Sequence, residues 1–136
     1  MEFENIKIDS YLKNHDIKPS YQRIKILEYL IKNKNHPTVD MIYKELVNDI
    51  PTLSKTTVYN TLKLFVEKEI VIVINIEDNE TRYDADTSFH GHFKCKKCNK
   101  IYDIRLEMPA LIDFDNYVID EYHFYLKGIC SECNNN

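Results

Sequence analysis

Apolar residues recur every three or four positions through the first seventy residues, after which the pattern changes to short β-like runs. A first helical segment runs from about Phe3 to Lys13. Pro19 breaks the chain, and Ser20 offers an N-cap for a helix to about Asn33 that buries Ile24, Leu27, Leu30 and Ile31. Thr38 caps a third helix with Asp40 in its first turn and Ile42, Tyr43, Leu46 and Val47 as its apolar face; Pro51 ends it. Ser54 caps a fourth, Lys55 to about Lys68, whose buried stripe is Val58, Leu62, Phe65 and Val66. The opposite face of that helix presents Thr56, Tyr59, Asn60 and Lys63, all able to hydrogen-bond a base edge or a phosphate.

Val71 to Ile76 and Thr81 to Asp86 read as strands, and the turn-rich Glu77-Asp78-Asn79-Glu80 between them makes a hairpin. Helices followed by a two-stranded ribbon describe a winged helix, with the fourth helix as the element that enters a major groove. Residues 84–90 form a polar hinge. Further strands are expected at His92–Cys95, Lys100–Ile104 and Tyr117–Lys127, with a short helix at Glu107–Ile112. The expected class is therefore α+β: a winged-helix DNA-binding domain at residues 1–84 and a small α/β domain at residues 85–136. A core of about 45 residues rarely holds itself together without a staple.

The cysteines supply one. Cys95/Cys98 and Cys130/Cys133 form two CxxC pairs with 31 residues between them. Each CxxC turn points two thiolates at one ion, and two turns complete a tetrahedral structural Zn(II) site. A redox CxxC would open a helix after a strand, whereas Cys95-Lys96-Lys97-Cys98-Asn99 lies between two strands. His90 and His92, at alternate positions just before the first pair, would project from one face of a strand. With His36, Asp84 and Asp103 they make a scattered imidazole–carboxylate set, harder than a thiolate site and suited to Fe(II), Mn(II) or Zn(II). The blander reading is a loop histidine before Pro37 and two solvated aspartates. His15, in a polar loop, and His123, in the run Tyr122-His123-Phe124-Tyr125, read as structural.

Charge sharpens this division. Residues 1–75 carry 11 Lys+Arg against 10 Asp+Glu, and residues 76–136 carry 7 against 12. A weakly basic half is poor evidence for nucleic-acid binding by itself, yet fits a reader whose basic groups share one face. The longest aliphatic run, Ile70–Ile74, is too short to cross a bilayer, and the acidic Met1–Asn5 has no apolar signal region. The chain thus reads as cytoplasmic with no membrane partner, a compartment where paired cysteines favour metal over disulfide. With only Gly91 and Gly128, no P-loop, GxSxG or other glycine-rich catalytic motif can form, so no enzyme is expected.

From about Ser10 to Cys133 the chain resembles the ferric uptake regulator (Fur) family, and within it the peroxide-sensing PerR branch. The resemblance rests on Ser20-Tyr21-Gln22-Arg23, His36-Pro37-Thr38, Thr57-Val58-Tyr59-Asn60-Thr61-Leu62, Arg82-Tyr83-Asp84, His90-x-His92-x-x-Cys95-x-x-Cys98 and Cys130-x-x-Cys133. It implies a homodimeric, metal-dependent repressor that binds an inverted-repeat DNA operator, with structural zinc on the four cysteines. It also implies a regulatory Fe(II) or Mn(II) on His36, Asp84, His90, His92 and Asp103, with His36 or His90 as the histidine oxidised by peroxide. Arg23, Tyr59, Asn60 and Lys63 are the candidate DNA contacts. Asp103 and Asn60 look like the PerR branch, where Fur-type members tend to carry Glu and Arg. The places of a further family metal site hold Phe89, Gly91 and Tyr122, so that site is not expected; Tyr21 departs from the family's usual residue. The rival readings are an iron- or zinc-responsive uptake repressor, a zinc-ribbon protein-interaction module and a metallohydrolase.

Overall fold

Ser20, Thr38 and Ser54 each open a helix, and each does so by the same local bond. Their side-chain oxygens accept from the backbone N–H of Arg23 (3.2 Å), Met41 (3.2 Å) and Thr57 (3.1 Å), satisfying a donor that the helix itself leaves unpaired. The helices are α2 (Tyr21–Lys32), α3 (Val39–Leu46) and α4 (Lys55–Glu67), preceded by α1 (Ile8–Asn14). The computed structural model describes residues 7–77, 80–87, 90–105, 116–118 and 123–135, without the side chains of residues 76, 77 and 90. The expected helix at Glu107–Ile112, the start of the first segment at Phe3, and the positions Phe89 and Tyr122 lie outside the described residues.

The chain divides into two compact units, Met1–Thr87 and Ser88–Asn136. In the first, α1–α4 close over a core in which Leu12, Ile26, Leu27, Ile42, Val58, Leu62 and Phe65 are fully buried. Two of the expected stripes are rotated. In α2, Ile26 and Tyr29 are buried beside Leu27 and Leu30, while Ile24 and Ile31 are only partly covered. In α4, Thr61 is buried with Val58, Leu62 and Phe65, and Val66 lies at the margin. Both shifts bring a neighbouring residue inward because the face is set by the partner helices and not by hydrophobicity alone. Val47, placed on the face of α3, is its C-cap.

The end of α4 is also locally determined. Glu69 adopts the left-handed conformation (φ 62°), and Ile70 N–H donates to Phe65 O while Glu69 N–H donates to Val66 O. This Schellman arrangement turns the chain and buries Ile70 as it leaves the helix. The ribbon follows as β1 (Ile72–Glu77) and β2 (Glu80–Asp84), antiparallel, with Val73 opposite Tyr83 and a register shift between Ile74 and Glu77. The expected hairpin is present, with its second strand ending at Asp84, two residues early.

The second unit is a three-stranded sheet in the order β4-β3-β5, built from β3 (His90–Cys95), β4 (Ile101–Arg105) and β5 (Tyr125–Gly128). β3 pairs antiparallel with β4 and parallel with β5. Of the expected Tyr117–Lys127, Tyr117 and Val118 are exposed coil, residues 119–122 lie outside the described residues, and the strand is Tyr125–Gly128. A one-turn helix, α5 (Ser131–Asn134), closes the chain. Among the described residues of this unit, the only buried hydrophobic side chains are Cys95 and Cys130. Among the described residues no helix is long and apolar enough to cross a membrane.

Candidate metal centres and nucleic-acid interface

The four cysteines converge. Cys95 ends β3, Cys98 follows in the turn, Cys130 caps α5 and Cys133 lies within it, and their sulfurs all fall within 4.8 Å of one another. Zinc bonds of about 2.3 Å to four tetrahedral thiolates place the sulfurs about 3.8 Å apart. Cys98 Sγ and Cys130 Sγ stand 3.8 Å apart. Asn99 supports the first turn by adopting φ 63°, a left-handed conformation that asparagine tolerates better than most residues.

Backbone amides are aimed at these sulfurs. Cys95 Sγ accepts from Cys98 N–H and Cys130 N–H, each at 3.4 Å, and Cys130 Sγ accepts from Cys133 N–H at 3.5 Å. Donation from Cys98 N–H, against the cost of burial, holds the Cys95 thiol down to about 6. Cys130 is lowered chiefly by a hydrogen bond from Tyr102, whose own phenol is driven up by the same contact. Cys133 is pushed up to about 12, first by its hydrogen bond with Cys130. A divalent cation displaces the thiol protons, and the all-thiolate, amide-supported donor set fits Zn(II).

The harder donors stand as two imidazole–carboxylate pairs, one in each unit. In the first unit, His36 Nε2 lies 3.6 Å from Asp84 Oδ2, the imidazole 3% and the carboxylate 12% exposed. His36 has φ 51°, a left-handed conformation uncommon outside glycine, and the strand β2 holds it there. Arg82 Nη1 donates to His36 O (3.1 Å), and Tyr83 N–H donates to Pro37 O (3.0 Å). Asp84 Oδ1 accepts from Asp86 N–H at 2.9 Å, which orients the carboxylate. In the second unit, cross-strand pairing sets His92 opposite Asp103, with His92 Nε2 3.4 Å from Asp103 Oδ1. His92 is buried and Asp103 is exposed by 40%. His90 occupies the first position of β3, opposite Arg105, by backbone pairing. Such nitrogen and oxygen donors fit Fe(II) or Mn(II) in preference to softer ions.

The histidines read as structural have modest roles. His15 Nδ1 bonds to Tyr11 O (2.9 Å) at the end of α1. His123 is exposed just before β5 and bonds to the Tyr125 hydroxyl (3.2 Å), so it is not packed within a strand as expected. Gly91, buried in β3, has no side chain to offer a further metal.

The candidate DNA contacts flank α4 on two sides. Arg23 and Asn60 line a cleft of about 630 Å³ together with Lys18, Ser20, Gln22 and Thr57. Tyr59 and Lys63 line a second, of about 220 Å³, with Thr81 and Tyr83 of β2. Tyr59 is 51% exposed, a large aromatic surface that the core does not use. Arg23 also donates from Nη1 to Lys18 O (2.8 Å), which extends its guanidinium along the first cleft. Sequence reasoning missed Arg82 as the anchor of His36 and Tyr102 as a partner of the sulfurs. Both contacts depend on strand register, and the only signal available in advance was alternation along β2 and β4.

Comparison with known proteins agrees with this chemistry. Residues 14–134 match the model of the ferric uptake regulator family. The chain is 35% identical over 130 residues to the peroxide-responsive repressor PerR of Staphylococcus aureus (strain Mu50 / ATCC 700699), covering 90% of this chain and 86% of that protein. PerR from Streptococcus pyogenes, whose structure bears on peroxide sensing and gene regulation, superposes with a TM-score of 0.53 at 29% identity, over 91% of this chain and 88% of that one. The ferric uptake regulator of Vibrio cholerae superposes with a TM-score of 0.71 at 23% identity, over 91% and 100%, a likeness of fold. The chain belongs to the ferric uptake regulator family of metal-dependent transcriptional repressors.

Proposed function

We propose that this protein is a peroxide-sensing repressor that binds an inverted-repeat DNA operator as a homodimer when its regulatory site holds Fe(II) or Mn(II). The observation that carries the reading is the pairing of a buried histidine with an aspartate in each unit, His36–Asp84 and His92–Asp103. One metal drawing on both pairs and on His90 would tie the DNA-binding unit, residues 1–84, to the dimerisation unit, residues 85–136. Only a conformation that gathers all five donors gains the full coordination energy. Moving a two-state equilibrium from 1:99 to 99:1 takes about 5.5 kcal/mol of differential affinity.

Iron(II) in this site would supply, with hydrogen peroxide, an oxidant confined to its own ligands. The protein's part is to present His36 and His90 to it. An imidazole that gains an oxygen no longer donates as before, so the five-donor arrangement and the DNA-competent conformation are lost together. A 35% identity with a peroxide-responsive repressor over 90% of the chain supports this reading, as do Asp103 and Asn60 at positions that resemble the PerR branch.

DNA recognition would fall to α4 and the clefts beside it, with Tyr59 and Lys63 on one side and Asn60 and Arg23 on the other. Tyr59→Ala is expected to weaken operator binding on the order of tenfold, as for loss of a well-placed aromatic contact. Zinc content and manganese content should stay the same. Binding by the wild type should fall steeply with salt, because phosphate contacts release counterions. Unchanged affinity in Tyr59→Ala would move the reading surface elsewhere; weak, salt-insensitive binding would favour a protein-interaction module.

A further inference from the structure

We infer that Tyr102 shields the structural zinc thiolates from peroxide, its phenol donating a hydrogen bond to the sulfur of Cys98. The sheet register brings this about. β3 and β4 set His92 opposite Asp103 and Phe93 opposite Tyr102, and successive side chains of a strand point to opposite faces. One face therefore carries the histidine–aspartate pair, and the other carries Phe93, Tyr102 and Cys95. Adjacent residues of β4 thus serve two different metal chemistries.

The Tyr102 hydroxyl stands 3.9 Å from Cys98 Sγ, which is in turn 3.8 Å from Cys130 Sγ. A metal-bound thiolate has no proton to give, so the phenol is the donor. Cys95 and Cys130 are buried, and Cys95 takes two backbone amides; Cys98 and Cys133 are half-buried, and of these two Tyr102 reaches Cys98.

Hydrogen peroxide oxidises a thiolate when sulfur attacks one peroxide oxygen. An S–O bond forms, the O–O bond breaks, hydroxide leaves, and the cysteine becomes a sulfenic acid. A charge-assisted hydrogen bond to the sulfur lowers the lone pair that makes this attack and slows the step. The sheet thereby keeps its staple in the presence of peroxide. This does not rest on the peroxide-sensing reading, because an uptake repressor with the same zinc site would carry the same shield.

The test compares full-length, zinc-loaded wild type with Tyr102→Phe under hydrogen peroxide. Zinc release is followed with a chromogenic chelator and cysteine oxidation by mass spectrometry. Release should be roughly three- to tenfold faster in Tyr102→Phe, the effect of one lost hydrogen bond on a barrier, with the first added oxygen on the peptide holding Cys98. In cobalt-substituted protein the thiolate-to-metal charge-transfer band should shift with the same change. An unchanged rate, or an unshifted band, overturns the inference. So does equal acceleration of zinc loss to a chelator without peroxide, or in Phe93→Leu, since either would make Tyr102 a packing residue.

Discussion

Replacing Cys133 with serine is expected to unfold the second unit while α1–α4 stay folded. The two units differ in what holds them. Every member of the apolar core from Leu12 to Ala85 lies in the first unit, whereas the described part of the second buries no hydrophobic side chain beyond Cys95 and Cys130. Zinc binding to such a structural site contributes on the order of 10 kcal/mol, more than a sheet of three short strands can lose. Cys133 is half-buried, so serine there removes a ligand with little loss of packing. Amide exchange would show it: β3, β4 and β5 should lose protection in Cys133→Ser and in chelator-treated wild type, while α2 and α4 retain theirs. A second unit that keeps its protection without zinc would show that the residues between β4 and β5 supply a sufficient core of their own.

His36→Ala should abolish the metal response of DNA binding and leave structural zinc in place. His36 is buried, set in a left-handed backbone by Arg82 and Tyr83, and aimed at Asp84. Such an arrangement costs conformational energy and persists where surrounding bonds enforce it. If the metal supplies about 5.5 kcal/mol of bias between conformations, losing one of five ligands forfeits a large part of it. Operator affinity in Mn(II) should then drop on the order of a hundredfold, toward the metal-free level. The four thiolates lie on other elements, so one zinc per chain should remain. Metal-dependent affinity equal to wild type would remove His36 from the regulatory set.

The parts of this account that were legible in the sequence are those determined locally. Ser20, Thr38 and Ser54 announce helix starts because a cap bonds to an amide three residues away. The CxxC pairs announce a metal because a two-residue gap brings both thiolates to one ion. The parts not legible depend on distant neighbours. Ile26 and Tyr29 replace Ile24 and Ile31 in the core because the packing of α2 against its neighbours chooses the face. Arg82 reaches His36 across 46 positions, and Tyr102 reaches the sulfurs only once β4 is in register with β3. Tyr117 and Val118 are exposed coil although their composition suits a strand, since a strand needs a partner as well as a composition.

The most direct test of the central claim is operator binding by zinc-loaded protein carrying Fe(II) or Mn(II), before and after brief hydrogen peroxide, followed by mass spectrometry of tryptic peptides. The account predicts that only the iron form releases DNA, and that it gains one oxygen on the peptide holding His36 or His90. Retention of the operator by both metal forms, with those peptides unmodified, would contradict peroxide sensing and leave a metal-uptake repressor as the better reading.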